Sequence, residues 1–298
     1  MTIVCLGEAL VDLVCERELS EPGEADHFVP HPGGALANVA VAARRAGADV
    51  ALVGGVGADD WAEWLRERLW REGIDTRWLA AVEGVATPVA FVTFDWDREP
   101  SFAVYGEAIG ATMGAASPYV EEALGGAAAL VFGSNTLVAE PEREVTLRAR
   151  RSALDRALPV LFDPNFRPNR WRDLGRAVEI CRDLVDGAFV VQANREEAEL
   201  LTGSEEPAEA AAELCALGAR LAVVTLGPEG AVMRGEAEAE VAAPRVEVVS
   251  PLGAGDAFMG ALAAGLGAVD WDPAMAAEAL PGAVAAGARA CTGWGAQV

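Results

Sequence analysis

Short apolar segments of strand length alternate with helix-length segments along most of this chain. The predicted strands lie at residues 2–6, 50–53, 76–81, 128–132, 159–162, 188–192 and 221–225. Runs of four to eight apolar residues bounded by turn residues are typical of buried strands, and their alternation with helices indicates βαβ units. The sequence therefore predicts an α/β protein, in which ligands bind at the carboxyl ends of the strands.

One part of the chain departs from this alternation. Residues 89–95 and 101–105 are strand-like and flank a charged turn, so we expect a β-hairpin with no helix directly after it. An inserted hairpin of this kind is typical of a lid. Because we find neither a linker nor an internal repeat, we expect a single domain over residues 1–298, with lid strands from approximately 12–31 and 88–106.

The charged residues restrict the function. The net charge is −23, and all 23 basic residues are arginine. This charge disfavours nucleic acid and anionic membranes as partners. The lack of lysine excludes a Walker A P-loop, a protein-kinase strand lysine and a pyridoxal-phosphate Schiff base. We find no apolar run of 18 residues and no basic segment before the first apolar stretch, and therefore expect a cytoplasmic protein.

The segment Ser250–Gly260 places two glycines at the start of a helix, after an alternating run at residues 245–249 that predicts a strand. Gly253 and Gly255 would let backbone N–H groups converge on an anion, which the helix dipole also favours. Asp256 would repel such an anion unless it accepts a proton from an attacking hydroxyl. A reference pKa of ~3.9 and the helix N-terminus predict an ionised carboxylate at pH 7. The alternative is a helix cap after an ordinary turn.

Polar residues recur where predicted strands end. We expect Asp12 at the carboxyl end of a strand near the N-terminus, and Asp163 and Asn194 at the ends of later strands. The pair Gly33–Gly34 precedes a helix with Asn38 in its first turn. The amide of Asn38 would either bind a ligand hydroxyl or support the loop.

Taken together, these motifs resemble the ribokinase-like carbohydrate kinases, the PfkB family, over nearly the whole chain. Residues 250–263 match the family's C-terminal signature, and residues 33–57 nearly match the N-terminal one, from which Leu36 departs. The resemblance implies a ribokinase-like three-layer α/β/α fold with a mostly parallel central sheet and a small β-sheet lid. It also implies an ATP-dependent sugar kinase that uses Mg²⁺, with a monovalent cation such as K⁺ as a further candidate, and a homodimer formed through the lid sheet.

The resemblance also implies a role for individual residues. Asp256 would be the catalytic base, and Gly253, Ala254 and Gly255 would form an anion hole. The implied sugar-binding residues are Asp12, Gly33, Gly34, Asn38 and Arg167. The implied nucleotide-binding residues are Asn194, Thr225, Gly227 and Gly230, and Glu197 would organise Mg²⁺ through water or phosphate.

The acceptor implied by the resemblance is less narrowly defined. Residues 7–12 and 133–143 resemble fructokinases, which makes a primary hydroxyl of fructose the expected acceptor. Gly106 departs from this pattern, because fructokinases commonly carry an arginine there. The segment Asp163–Arg167 is equally typical of 2-keto-3-deoxygluconate kinases, so such an enzyme, or another PfkB-type sugar or nucleoside kinase, is the alternative. A sugar-binding relative without catalysis is a third interpretation.

Overall fold

The computed structural model describes residues 2–298, which form two β-sheets surrounded by helices. The strands are β1 (Thr2–Leu6), β2 (Leu10–Glu18), β3 (Val29–Gly33), β4 (Asp49–Gly57), β5 (Leu79–Val82), β6 (Val89–Phe94), β7 (Pro100–Tyr105), β8 (Ala127–Gly133), β9 (Val160–Asp163), β10 (Val190–Asn194), β11 (Leu221–Thr225), β12 (Ala231–Gly235) and β13 (Ala239–Val241). The α-helices are α1 (Ala35–Arg45), α2 (Asp60–Arg71), α3 (Ala108–Ala116), α4 (Val120–Leu124), α5 (Glu140–Asp155), α6 (Leu174–Asp183), α7 (Arg195–Thr202), α8 (Pro207–Ala216), α9 (Ala254–Ala268) and α10 (Leu280–Ala290).

The larger sheet has nine strands in the order β13-β12-β11-β10-β9-β8-β1-β4-β5. Its neighbouring strands are parallel except at one edge, where β12 is antiparallel to both of its neighbours, β11 and β13. Alternate strand residues point to opposite faces, so Ile3 and Cys5 pack with residues of α1, α2, α9 and α10. Val4 and Leu6 pack with residues of α3 to α8. The predicted three-layer α/β/α fold with a mostly parallel sheet is confirmed.

The smaller sheet has the strand order β3-β2-β6-β7, and β2 and β6 are its parallel pair. We call it the lid. Val14, Val92 and Phe94 of the lid pack against Leu252 and Ala296 in a separate apolar cluster. The lid therefore lies beside the glycine turn that begins α9. Its strands fall close to the predicted ranges.

Two predictions about this region are wrong. Asp12 does not end a strand of the central sheet, because the chain turns at residues 7–9 and enters the lid, where Asp12 pairs with His31 and Ala90. A helix, α3, does follow the hairpin. Apart from Thr112, it is built from alanine, glycine and apolar residues and is largely buried, so it has no amphipathic period that would mark it in the sequence.

The strand predicted at residues 245–249 is also absent from the structure of residues 2–298. This segment has no regular secondary structure and pairs with neither sheet. Val246 and Val248 alternate with polar residues because both line a surface cleft. Helix α9, predicted at residues 256–267, is present. No helix within residues 2–298 has the length and apolar character needed to span a membrane.

Candidate active site

Two adjoining cavities lie where the lid meets the carboxyl ends of the central strands. The first, which we call the acidic chamber, has a volume of about 290 Å³ and is lined by the carboxylates of Glu8, Asp12, Asp163, Glu197 and Asp256. The second, the apolar cleft, has a volume of about 660 Å³. The two cavities share wall residues, namely Thr225, Pro251, Ala254 and Gly255. A ligand in one cavity can therefore reach a ligand in the other across the first turn of α9.

Asp256 lies in that first turn, and its carboxylate is held on both oxygens. Asn38 of α1 donates from Nδ2 to Oδ2 at 2.8 Å, and Asn165, after β9, donates from Nδ2 to Oδ1 at 3.1 Å. The side chain is only 5% exposed and lines the acidic chamber. The carboxylate is therefore fixed in direction and can accept a proton only from a group inside the chamber.

Each of these two amides is oriented by a further donor. Arg167 Nη1 donates to Asn165 Oδ1, and Gln297 Nε2 donates to Asn38 Oδ1 at 2.9 Å. Because the carbonyl oxygen of each amide is taken, its NH₂ group must face Asp256. The sequence left open whether Asn38 binds a ligand or supports the loop; the structure places its amide on the carboxylate of Asp256.

Burial raises the pKa of several carboxyl groups in the chamber. The pKa of Asp256 rises to about 6, because burial outweighs the opposing hydrogen bond from Asn38 and the charge of Arg167. Burial, with repulsion from Asp256, raises the pKa of Asp12 to about 7. Asp256 is thus a stronger base than the sequence predicted from its reference value, although it is still mostly ionised at pH 7.

The turn before α9 is shaped for close approach of a ligand. Gly253 has a φ of 77°, and a Cβ atom built there would lie 2.6 Å from that of Ala296. The backbone N–H groups of the first helical turn, including those of Gly255 and Asp256, have no acceptor within the helix. Together with the helix dipole they form a site for an anion such as a phosphoryl group. This arrangement brings together the residues predicted to form the anion hole.

The apolar cleft contains most of the predicted nucleotide-binding residues. Thr225 is the last residue of β11, and Gly227 and Gly230 lie in the connection between β11 and β12. Apolar side chains form much of the remaining wall, including those of Val246, Val248, Phe258 and Val284. A cleft of this size and apolar lining can hold a planar aromatic base.

Asn194 and Glu197 also have a structural role at the start of a helix. They form a capping box at the start of α7, in which Asn194 Oδ1 accepts from the backbone N–H of Glu197 at 2.9 Å and Glu197 Oε2 accepts from that of Asn194 at 3.0 Å. Glu197 Oε1 accepts from Phe166 N at 2.8 Å. Both residues nevertheless line the acidic chamber, where Glu197 remains accessible to a ligand.

The carboxylates fit a divalent cation only in part. Burial and repulsion between neighbouring carboxylates raise the pKa of Asp163, and burial raises that of Glu197, so a cation in the chamber would relieve an unfavourable concentration of negative charge. Within residues 2–298, however, no three histidine, cysteine or acidic side chains are grouped to hold a metal ion. A bound Mg²⁺ would need oxygens from water or from a phosphate as well as Glu197.

The predicted sugar-binding residues converge on the chamber with one exception. Asp12, Gly34, Asn38 and Arg167 line it. Gly33 is not among the lining residues, and a Cβ at this position would overlap the carboxylate of Asp12. Gly33 therefore makes room for Asp12 rather than forming the wall itself.

Five chamber or support residues were not assigned a role from the sequence: Glu8, Asn135, Asn165, Gln192 and Gln297. Glu8 is 1% exposed; its Oε1 accepts from Ala35 N at 3.1 Å, and its Oε2 is buried with no hydrogen-bond partner. Glu8 and Asn165 lie within segments that carry the family resemblance, residues 7–12 and 163–167, and so could have been suspected. Gln192 and Gln297 belong to no motif, and only the folded chain brings them to the site.

Comparison with known proteins agrees with this geometry. The family model for pfkB family carbohydrate kinases matches residues 1–298. Aminoimidazole riboside kinase of Salmonella typhimurium is 32% identical over 293 residues, which cover 98% of this chain and 89% of that kinase. Fructokinase-1 of Zea mays is 33% identical over 262 residues, covering 87% and 81% of the two chains. Among solved structures, fructokinase from Vibrio cholerae O395 with fructose, ADP and a calcium ion bound has a TM-score of 0.83 and 30% identity, covering 100% of this chain and 94% of that one.

Proposed function

Because this chain belongs to the pfkB family of carbohydrate kinases and is a phosphotransferase with an alcohol group as acceptor, we propose that it transfers the γ-phosphoryl group of ATP to a primary hydroxyl of a small neutral sugar, with fructose as the expected acceptor. One observation carries the proposal: the first turn of α9 lines both cavities through Ala254 and Gly255, and the carboxylate of Asp256 in the same turn lines the acidic chamber. The sugar would occupy the chamber and the nucleoside of ATP the cleft.

The reaction follows from this placement. The acceptor hydroxyl oxygen attacks the γ-phosphorus, the bond to the β–γ bridging oxygen breaks, and ADP leaves with that electron pair. Asp256 accepts the hydroxyl proton. The N–H groups of the first turn of α9 stabilise the charge on the transferred phosphoryl group, since the chain has no lysine for this task. Glu197 and phosphate oxygens would hold Mg²⁺, which when bound neutralises phosphate charge.

The charge of the acidic chamber favours a neutral acceptor over a sugar acid. Arg167 is the one cationic side chain among the lining residues, where it faces five acidic side chains. A carboxylate such as that of 2-keto-3-deoxygluconate would share this single cation with the acidic side chains of the chamber, and juxtaposed like charges cost several kcal/mol. A polyol instead finds acceptors in the carboxylates and a donor in Asn135, whose Oδ1 accepts from Arg170 at 2.7 Å and whose NH₂ group is thereby left to bind a hydroxyl.

A riboside is the second candidate acceptor. The lid side of the chamber is apolar, with Leu10, Ala90, Phe102 and Val104 in its wall. Such a wall could cover the base of a small nucleoside, and one relative is an aminoimidazole riboside kinase. We place fructose first because of the resemblance of residues 7–12 and 133–143 to fructokinases.

A substrate screen tests this proposal. ADP release would be measured with MgATP, with and without K⁺, for fructose, ribose, 2-keto-3-deoxygluconate, aminoimidazole riboside and common nucleosides. We expect the highest kcat/KM for fructose and a value at least about 100-fold lower for 2-keto-3-deoxygluconate, because of the like-charge cost. A preference for the acid would contradict the argument from charge. ADP release at the acceptor-free rate with every compound would favour a binding protein without catalysis.

We also propose that two copies of the chain pair through the outer face of the lid. Phe28, Phe91 and Tyr105 form an aromatic row there, with ring centroids 5.0 Å and 5.8 Å apart. Tyr105 is 65% exposed at the edge of the sheet. A second lid would cover this apolar face and the unpaired edge of the sheet.

Sedimentation equilibrium measures this association. We expect a mass of about twice the chain mass of 31.0 kDa, and a shift to the monomer in the Phe91→Asp variant, because a buried unpaired charge disfavours the interface. Trp96→Asp is the matched control: Trp96 is an exposed aromatic residue in the lid turn, outside the aromatic row. A monomeric wild-type protein at assay concentration would overturn the proposal.

A further inference from the structure

We propose that Gln297 is a positioning residue for the catalytic base, which fixes the orientation of the Asn38 amide on Asp256 and links that orientation to the lid. The proposal rests on the assignment of Asp256 as the base in the proposed function. Gln297 lies 259 residues from Asn38 in the sequence, outside every motif. Its contribution depends entirely on the folded arrangement of the chain end.

The hydrogen-bond polarity carries the first step. Gln297 Nε2 donates to Asn38 Oδ1 at 2.9 Å, and Asn38 Nδ2 donates to Asp256 Oδ2 at 2.8 Å. A primary amide has one accepting and one donating end. If the Asn38 amide rotated by half a turn, its oxygen would face the carboxylate oxygen with no proton between them. The donor of Gln297 selects the orientation that avoids this contact.

The opposite side of the base is built in the same way. Asn165 donates to the other carboxylate oxygen, and Arg167 donates to the carbonyl oxygen of Asn165. Both amides that hold Asp256 are thus fixed by a second donor. Arg167 belongs to a motif visible in the sequence, whereas Gln297 performs the corresponding task from the C-terminal segment.

The segment of residues 294–297, which we call the tail segment, contacts three parts of the site. The ring of Trp294 lies 5.2 Å from that of Phe94 in the lid strand β6. Ala296 packs against the turn at Gly253. Gln297 itself is held to α1 by a hydrogen bond from Arg45 Nη2 to the backbone carbonyl oxygen of Gln297 at 3.3 Å. Through these contacts the tail segment joins the lid to the residue that orients Asn38.

The strength of the base depends on this orientation. The charged and titratable groups that face Asp256 are Glu8, Asp12, Asp163 and Arg167. Donation from Asn38 lowers the pKa of Asp256 against the raising effect of burial. Loss of that donation raises this pKa further, so the acid limb of the kcat/KM profile moves to higher pH.

Three substitutions of Gln297 separate donor from acceptor function. Gln297→Ala removes the donor, and we expect kcat to fall about tenfold with little change in the KM for sugar. Gln297→Glu places an acceptor beside Asn38 and draws its NH₂ group away from Asp256, so kcat should fall further than in the alanine variant. Gln297→Lys retains a donor, so kcat should stay within about threefold of wild type. An alanine variant with wild-type kcat and pH profile would overturn the proposal.

A double-mutant cycle distinguishes this route from a direct effect of charge. In an Asn38→Ala background the differences between the Gln297 variants should largely disappear, because the residue through which they act is gone. If the Glu and Lys variants still differ by the same factor, the effect is through-space and the proposal is wrong. Val298→Ala is the control in the neighbouring position and should leave kcat and the pH profile unchanged, because its side chain is 40% exposed and has no group that could donate a hydrogen bond to Asn38.

A readout independent of turnover separates failure of this proposal from failure of the proposed function. The side-chain amide of Asn38 can be assigned by NMR from its loss in the Asn38→Ala variant. We expect slow hydrogen exchange of this amide in the wild type and faster exchange in Gln297→Ala. Equal exchange in the two proteins would overturn the positioning role even if no sugar is phosphorylated.

Discussion

The Asp256→Asn variant should have a kcat at least about 100-fold below that of the wild type, in the range expected for loss of a general base, with much smaller changes in substrate KM. Asparagine keeps the size of the side chain and one acceptor oxygen for Asn38 or Asn165, but it cannot take the hydroxyl proton. Steady-state kinetics with fructose and MgATP measure the effect. The wild-type kcat/KM should fall as the pH drops through about 6, where Asp256 becomes protonated.

Stability distinguishes catalysis from capping in this variant. The folded-state pKa of Asp256 is raised above the unfolded value. Ionisation of this side chain therefore lowers the free energy of unfolding as the pH rises from the unfolded-state pKa through the folded-state pKa of about 6. Removing that charge offsets part of the lost hydrogen bonding, and Tm at pH 8 should change little. Asp60→Asn, in the first turn of α2, is the matched control and should keep its kcat. A variant at position 256 with normal kcat and a markedly lower Tm would identify Asp256 as a helix cap.

The Gly255→Ala variant should lose about 100-fold in kcat/KM without loss of stability. A Cβ atom at Gly255 would have one neighbour within 4 Å, Gln192 Nε2 at 3.6 Å, so the folded protein has room for it. The methyl group would instead occupy the wall shared by the two cavities, where we place the transferred phosphoryl group. Alanine is a better helix former than glycine by up to about 1 kcal/mol, so Tm should be unchanged or higher.

A second glycine of the same helix supplies the control for this substitution. A Cβ at Gly267 would also make only ordinary contacts, with the ring of Trp271 at 3.5 Å, and it lies at the far end of α9. Gly267→Ala should therefore keep wild-type kinetics. Equal kcat/KM for the Gly255→Ala variant and the wild type would mean that the phosphoryl group does not approach this turn.

The central strands could be predicted well because each one is marked by its own short run of apolar residues. The strands at residues 2–6 and 221–225 are apolar except for one terminal threonine each, and burial on both faces demands such apolar runs. Helix α3 escaped prediction because it is apolar on all sides, and the alternation at residues 245–249 reflects a cleft wall instead of a sheet. Asp12 was misplaced because the sequence did not show that the chain leaves the central sheet after β1.

Residues of the candidate site could be predicted from the sequence where several of them lie together in one motif. The glycines and the acid at residues 253–256 combine residue types that an anion site and a base require. Gly253, Gly255 and Asp256 all line the acidic chamber, and Gly255 also lines the apolar cleft. The raised pKa of Asp256 and the contact of Gln297 with Asn38 were not predictable. Both depend on burial and on contacts between distant parts of the chain, which no local pattern records.

The most direct test of the account is a comparison of product formation by the wild type and the Asp256→Asn variant, with ³¹P NMR used to follow fructose and MgATP over time. We expect equal amounts of ADP and a sugar phosphate from the wild type, and formation at least about 100-fold slower from the variant. The account is contradicted if the wild type forms no sugar phosphate, or if both proteins form it at the same rate.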